Sequence, residues 1–247
     1  MVKILLLTSK VTFVPNNYDD LIIGLAKNPA IGGLLMVDNS NFYITKTSLG
    51  LMALGAPRVG SQLLQNQLGG STRRRLQAYR KADKPVWILP KVNTQEVLDI
   101  VKNEGFDLIL NARTRSIFKK PLLNAPPLGC LNVHHGILPE NRGTMCDLWA
   151  LAEGGQPGFS IHVMNEKIDD GALVKAVPFK PKNKRDYRKY LKESTLVELE
   201  TIEELIAKIN DARAIPTAKP VGIGTIAYRR NPDRNAIREM IKGGMKL

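Results

Sequence analysis

Cysteine is nearly absent. Cys130 and Cys146 are the only two, with no CxxC spacing, which rules out a disulfide scaffold and makes a reducing cytoplasm the expected compartment. No stretch approaches the roughly 18 apolar residues that a membrane span requires, so no membrane partner is expected. The apolar run Ile4 to Leu7 is too brief for a signal-peptide core. No GxGxxG follows the first strand-like run and no GxxxxGK[ST] occurs, which disfavours a dinucleotide or nucleoside triphosphate enzyme. Aromatic residues make up 6% of the chain, too sparse in its basic runs for base-stacking platforms.

What is present is a chain of 247 residues, 43% hydrophobic, with a formal charge of +13. That is enough apolar material for one main domain with an appendage. The positive excess is concentrated in Arg73, Arg74, Arg75, Arg80, Lys81 and Lys84, and again in Lys180, Lys182, Lys184, Arg185, Arg188, Lys189 and Lys192. Such runs attract polyanions, and RNA, a nucleotide-linked substrate, a polyglutamylated cofactor or an acidic membrane surface would all fit. A merely solvated basic face fits as well, so charge alone does not choose.

Short apolar runs alternate with helical patterns through the first half. Strands are expected at Lys3 to Thr8, Gly33 to Val37, Pro85 to Leu89, Asp107 to Asn111 and Gly129 to His134, with helices at Tyr18 to Ala26 and Ile117 to Leu123. Asn93 with Glu96 three residues later reads as a helix cap before Val97, Leu98 and Val101. This order implies βαβ units and a mainly parallel open sheet with helices on both faces. The apolar stretch Leu49 to Leu68, broken by Gly50, Gly55, Pro57 and Gly60, reads as a helical insert or a hydrophobic patch. Beyond Gly171 a strand is expected at Ala172 to Pro178, a helix at Leu196 to Ile209, and a short helix at Ala236 to Ile241. The boundaries that follow are 1–178 for the α/β domain and 179–247 for a short helical C-terminal extension.

Histidine is scarce, yet His134, His135 and His162 lie close together. Residues two apart in a strand share a face, so Asn132 and His134 project together and His135 points away. A parallel sheet would set that pair at the carboxyl edge, where open α/β sheets place ligands. Taken alone, Asp169, Asp170 and Gly171 spell a hairpin turn. A metal site from Cys130, His134, His162 and Asp169 matches no ligand spacing, and none is expected.

The run from Gly129 to Val174, taken whole, resembles the folate-dependent formyltransferase family, which includes glycinamide ribonucleotide transformylase, methionyl-tRNA formyltransferase and the sugar N-formyltransferases. The motif of Asn, any residue, His, a Leu-Pro loop with a following Gly, and a later Asp-x-Gly falls on Asn132, His134, Leu138, Pro139, Gly143, Asp169 and Gly171. The resemblance implies a Rossmann-like formyltransferase domain that moves a formyl group from 10-formyltetrahydrofolate to an amine. It implies Asn132, His134 and Asp169 as the catalytic set. It also implies donor contacts from Asn111, Ala112, Arg113, Thr114 and Arg115 and from the segment before Asp169, ending at Ile168. Arg113 and Thr114 depart from the family's pattern of glycine followed by an aromatic or apolar residue. The His135-Gly136-Ile137 loop is closer to the sugar enzymes, and His162 stands where relatives often carry a structural histidine.

The chain after Val177 is too short for the β-barrel domain and linker of methionyl-tRNA formyltransferases, which favours a small-molecule amine, with or without a phosphate, such as a nucleotide-linked amino sugar. The net charge keeps initiator tRNA as the alternative acceptor. The regulatory domain that precedes formyltetrahydrofolate hydrolases has no counterpart ahead of the strand beginning at Lys3. A further alternative is a basic RNA-binding protein with a non-catalytic formyltransferase-like core, which an intact Asn132, His134 and Asp169 disfavour.

Overall fold

The computed structural model describes residues 1–114, 116–219 and 226–247. Its framework is a mixed sheet whose first five strands are parallel. In chain order the elements of the first half are β1 (Ile4–Ser9), α1 (Asp19–Leu25), β2 (Ile31–Val37), α2 (Phe42–Ala53), α3 (Pro57–Leu68), α4 (Ser71–Lys81), β3 (Val86–Leu89), α5 (Gln95–Asn103) and β4 (Leu108–Ala112). The second half continues with α6 (Lys120–Leu123), β5 (Cys130–His134), β6 (Asn141–Gly143), α7 (Cys146–Ala152), β7 (Gly158–Val163), β8 (Leu173–Pro178), α8 (Tyr187–Ala212), β9 (Ala227–Arg229) and α9 (Arg234–Lys242).

The seven-stranded sheet has the order β3-β2-β1-β4-β5-β7-β8, parallel from β3 to β5 and antiparallel at its last two pairings. Every residue of β1 is buried, as expected for a central strand covered on both faces. Alternation divides its side chains between two cores. Ile4 and Leu6 pack with α1 and α8, while Leu5 and Leu7 pack with Val97 and Val101 of α5 and Leu122 and Leu123 of α6. The chain runs outward from β1 through β2 to β3 and then returns to β4 on the other side. That reversal opens a crevice at the carboxyl ends of β1 and β4, the ligand position of open α/β sheets.

The expected strands and the helices at Tyr18 to Ala26 and 236–241 are present with shifts of a few residues at their ends. Four details differ. The α5 cap is Thr94, whose side chain accepts from the Val97 N–H, while Asn93 bonds Ile117 O and Lys119 N and so ties down the approach to α6. The apolar stretch at 49–68 resolves into parts of α2 and α3, divided at Gly55, whose φ of 89° suits glycine. The expected short helix at Ile117 to Leu123 is confined to Lys120–Leu123. The helix expected from Leu196 starts at Tyr187 instead. Its first turns bury Tyr187, Tyr190, Leu191, Ser194, Thr195 and Glu198, a helically spaced but largely polar or amphipathic set in which Leu191 is the one aliphatic side chain.

The segment beyond residue 178 shares the core of the sheet. Leu191, Ile202, Leu205 and Ile206 of α8, Ile237 and Met240 of α9, and the terminal Met245 and Leu247 all belong to the cluster that holds Ile4 and Leu6.

The first basic run forms α4 and is only partly a solvated face. Arg75 is fully buried, with Nε 2.6 Å from Asp19 Oδ1 and further bonds to the carbonyls of Ser9 and Asn17. Arg74 takes the other Asp19 oxygen at 2.7 Å, and Lys84 donates to the carbonyls of Ala26 and Asn28. These three cations of the run are thus committed to partners within the protein, which leaves them less free to meet a polyanion. Breaking a buried ion pair from one side costs about 3–5 kcal/mol because the remaining charge is stranded. Arg75→Ala leaves Asp19 with Arg74 alone, so a loss at the lower end of that range, about 3 kcal/mol, is expected in urea unfolding, whereas exposed Arg73→Ala should stay within about 0.5 kcal/mol.

Candidate active site

Three segments converge at the carboxyl edge of β5. Asn132 and His134 lie two apart on β5, His162 lies on the antiparallel neighbour β7 opposite Asn132, and Asp169 lies on the turn between β7 and β8. The strand spacing thus brings Asn132 and His134 to one face, as read from the sequence. His162 joins them, although it reads as structural from sequence alone. The cross-strand pair Asn132–His162 is the signal that would have found it, and it requires knowing the antiparallel register.

Hydrogen-bond roles follow from which partners can only accept. His162 Nδ1 lies 2.9 Å from the carbonyl oxygen of Val163, so that nitrogen donates and Nε2 is left to accept from the Asn132 amide at 3.1 Å. Asn132 Oδ1 in turn accepts from Asn111 Nδ2 at 2.8 Å, and Thr114 Oγ1 donates to Asn111 Oδ1 at 2.5 Å. The Asn132 amide is therefore oriented from both ends and keeps one N–H uncommitted. His134 Nε2 lies 2.6 Å from the carbonyl oxygen of Asn141, so Nε2 donates and Nδ1 faces Asp169 Oδ1 at 3.4 Å.

Asp169 joins these groups. Its Oδ1 also lies 3.5 Å from His162 Nε2, and its Oδ2 accepts from the Gly143 N–H at 2.9 Å. Burial tends to raise its carboxyl pKa, but His162, His134 and the Gly143 amide outweigh it, so the group is held below its ordinary value. Asp170 turns elsewhere and pairs with Arg142. Burial pushes the His134 pKa below its ordinary 6.5, only partly opposed by the Asp169 charge and the Asn141 carbonyl. The ring is thus neutral at neutral pH, with Nδ1 as the position left to take a proton.

Tight backbone geometry holds this arrangement. A Cβ on Gly136 would stand 2.8 Å from His134 Nε2 and 2.9 Å from Asn141 O, and one on Gly171 would stand 1.6 Å from Val163 O. Ser160 Oγ donates to Gly136 O and accepts from Leu138 N, which pins the loop after β5. The segment Asn141–Gly143 is strand β6, paired in parallel with β9 from the C-terminal region.

His135 points away from this face, as expected, into a buried cluster beneath α8. Its Nδ1 lies 2.5 Å from Arg113 Nη2 and 3.5 Å from Asp147 Oδ2, and its Nε2 lies 3.5 Å from Glu198 Oε2. Tyr18 and Ser194 donate to Glu198, and Tyr187 donates to Asp147. Burial opposes ionisation of Glu198, but His135, Arg113 and Ser194 hold its pKa down to about 2.

Of the residues expected to contact a donor, Asn111 and Ala112 are buried at the end of β4, Thr114 is half-buried above them, and Ile168 is 53% exposed on the lip. Arg113 has a φ of 70°, and its guanidinium lies 5.4 Å from the ring centres of both Phe13 and Tyr18. Its charged end therefore belongs to the cluster under α8, leaving its backbone at the crevice. Arg115 lies outside the described residues. Among the described residues no group of three or more His, Cys, Asp or Glu side chains is arranged to hold a metal ion, and no helix is long and apolar enough to cross a membrane.

A family model described as formyl transferase matches residues 72–194. A methionyl-tRNA formyltransferase from Trichlorobacter lovleyi is 30% identical over 138 residues, covering 55% of this chain and 43% of that protein. The chain spans less than half the length of the curated relatives it matches. Among solved structures, glycinamide ribonucleotide transformylase 1 from Symbiobacterium toebii superposes with a TM-score of 0.59 at 15% identity, covering 84% of this chain and 88% of that one. A sugar N-formyltransferase from a Shewanella species superposes with a TM-score of 0.55 at 16% identity, covering 98% of this chain and 87% of that one.

The His134 environment fixes the sign of a pH effect. A histidine whose folded pKa is depressed takes up its proton first in the unfolded chain, so its contribution to stability is complete above about pH 6.5 and is lost as the pH falls toward the folded value. Imidazole NMR titration is expected to place His134 below 6.5. In Asp169→Asn, which removes the charge opposing burial, His134 should titrate lower still. A rise instead would mean that Asp169 is not the carboxylate His134 feels.

Proposed function

Because the chain belongs to the formyl transferase family, we propose that it transfers a formyl group from 10-formyltetrahydrofolate to an amine, with Asn132, His134 and Asp169 carrying the reaction. The supporting observation is the free N–H of an Asn132 amide held at both ends, set on the same face as a neutral His134 backed by an ionised Asp169. A formyl oxygen that gains negative charge as an amine attacks needs such a preorganised donor.

The residues present fit a formyl-folate donor. The crevice edge offers the buried end of β4 at Asn111 and Ala112, the Thr114 hydroxyl and the exposed apolar Ile168, a mixed polar and apolar wall suited to a pterin ring. When bound, the donor supplies an activated formyl carbon. Asn132 gives its uncommitted N–H to the formyl oxygen. His134 takes the proton of the attacking amine at Nδ1, Asp169 stabilises the resulting imidazolium and fixes its orientation, and the imidazolium returns that proton to the folate nitrogen as its bond to the formyl carbon breaks. His162 holds Asn132 in place. Residues 1–178 carry the reaction in this reading, and 179–247 brace it through α8 and β9.

The acceptor we propose is a small amine, a nucleotide-linked amino sugar in particular. Coverage supports this: the likeness to the Shewanella sugar enzyme extends over 98% of this chain, C-terminal extension included. The second reading, initiator tRNA, draws on the sequence identity to methionyl-tRNA formyltransferases. Mass spectrometry after incubation with 10-formyltetrahydrofolate and a panel of amino sugar nucleotides, glycinamide ribonucleotide and methionyl-tRNA decides between them. Absence of any formylated product, together with no reduced-folate binding in calorimetry, would refute the proposed activity.

On the active acceptor, Asn132→Ala is expected to cost about 3–4 kcal/mol in kcat/KM, the usual loss for one oxyanion donor. His134→Ala and Asp169→Asn should be at least as damaging. Asp170→Asn should be far milder, because Asp170 faces Arg142. The double variant His134→Ala with Asp169→Asn should be little worse than the worse single one, as for groups that act as a unit.

A further inference from the structure

The helices α2 and α3 form an antiparallel pair that the proposed reaction does not use. A helix as apolar as α2 ordinarily has a buried face, but here only Ser48 is buried. Phe42 is 81% exposed, Tyr43 70%, Leu49 54%, and Leu68 at the end of α3 78%. These residues are not scattered. Gln67 Nε2 donates to Asn41 O at 3.2 Å, which sets the end of α3 beside the start of α2 and brings Phe42, Tyr43 and Leu68 to one tip. Phe42, Lys46 and Leu49 follow at helical spacing along the exposed side of α2. A contiguous exposed apolar patch marks an interaction surface.

The segment that forms the tip carries charge of one sign. Between Asp38 and Asp83 the chain carries no aspartate or glutamate. Of the cations there, Arg58, Arg74 and Arg75 are paired with carboxylates from elsewhere in the fold. Lys46 and Arg73 are exposed and form no ion pair among the described residues. Arg73 lies in the first turn of α4, just beyond Leu68 and the Gly69–Gly70 break. Exposed aromatic and aliphatic side chains interleaved with unpaired cations are the makings of a surface that inserts shallowly into a bilayer interface while its charges meet anionic headgroups.

We propose that this tip docks the protein peripherally on an anionic membrane surface. A span is not required for such docking, so the lack of long apolar runs does not oppose it. Exposed Leu49 and Leu68 fit hydrocarbon better than a nucleic acid, which offers phosphate and base faces. A second copy of a chain of formal charge +13 would bring basic tip against basic tip, which electrostatics disfavours. The tip is also held firmly relative to the candidate active site. The α2 helix leaves the carboxyl end of β2, the edge that carries His134, and its approach is fixed to the loop after β1. There Asn39 exchanges two hydrogen bonds of 2.9 Å with Val11, and Lys10 pairs with Asp38 at 2.8 Å.

Flotation of the full chain with vesicles tests this. Vesicles of phosphatidylcholine with phosphatidylglycerol are expected to carry the protein, pure phosphatidylcholine vesicles to carry much less, and raised salt to weaken the binding. Phe42→Ser with Leu68→Ser, and separately Lys46→Glu with Arg73→Glu, should each weaken vesicle binding by about tenfold or more. All four side chains are exposed, so circular dichroism and thermal melting should be unchanged. Formyl transfer to a water-soluble acceptor should be unchanged too, which keeps failure of the docking distinct from failure of the activity. Absence of binding to anionic vesicles, or binding that both variants retain, would overturn the proposal. So would the same residues proving to be needed instead for RNA retardation in gels or for concentration-dependent dimerisation in light scattering.

Discussion

The carboxylate of Asp169 is where the otherwise separate parts of the site are held to one another. One oxygen faces both His134 and His162, and the other takes the Gly143 amide. Four stretches of chain, β5, β6, β7 and the turn before β8, are registered through this single group. A buried charge is costly unless it is paired and hydrogen-bonded, and here the compensation comes from the groups the carboxylate organises. The backbone must cooperate: Asp169 adopts a φ of 51°, and Gly171 passes so close to Val163 that any side chain would strike its carbonyl. The Asp-Asp-Gly sequence is therefore both a turn and a means of aiming a carboxylate, and the two readings do not compete.

Neighbouring histidines illustrate how strongly the strand period partitions chemistry. His134 and His135 are adjacent in sequence, yet one faces the crevice with Asn132 and Asp169, and the other enters a charged cluster sealed by α8. The second environment holds a guanidinium, an imidazole and two carboxylates, crossed by tyrosine hydroxyls. A polar network of that kind, beneath a helix that also supplies apolar core residues, specifies where the helix sits as well as holding it there.

The period-two alternation of short apolar runs was enough to reveal the sheet, because parallel strands buried on both faces leave that mark whatever surrounds them. The same alternation brought Asn132 and His134 together. What stayed hidden has a common physical cause. The Asn141 carbonyl and the Gly143 N–H are backbone groups, present at every residue, so no residue type announces them. His162 acquires its role from an antiparallel register that only the folded sheet defines. Arg75 looked like one more cation in a basic run, since the carboxylate that draws it inward, Asp19, lies on another helix. The early turns of α8 are hard to read for a similar reason: apart from Leu191 their buried side chains are tyrosines, serine, threonine and glutamate, and Tyr187 and Glu198 meet partners distant in sequence.

The pairing of β6 with β9 has a consequence in time. The main chain at Glu140 and Thr144 is bonded to Ala227 and Arg229, and between them lie the carbonyl that holds His134 and the amide that holds Asp169. A growing polypeptide can pair all seven strands of the sheet once it has been made past residue 178, yet strand β6 still lacks its partner and α8 has not yet closed over His135. Chains emerge amino end first as they are synthesised, so every strand of the large sheet is available before the segment that aligns these groups. The alignment of these groups waits on residues 227–229, a stretch some eighty positions further along the chain than the groups themselves.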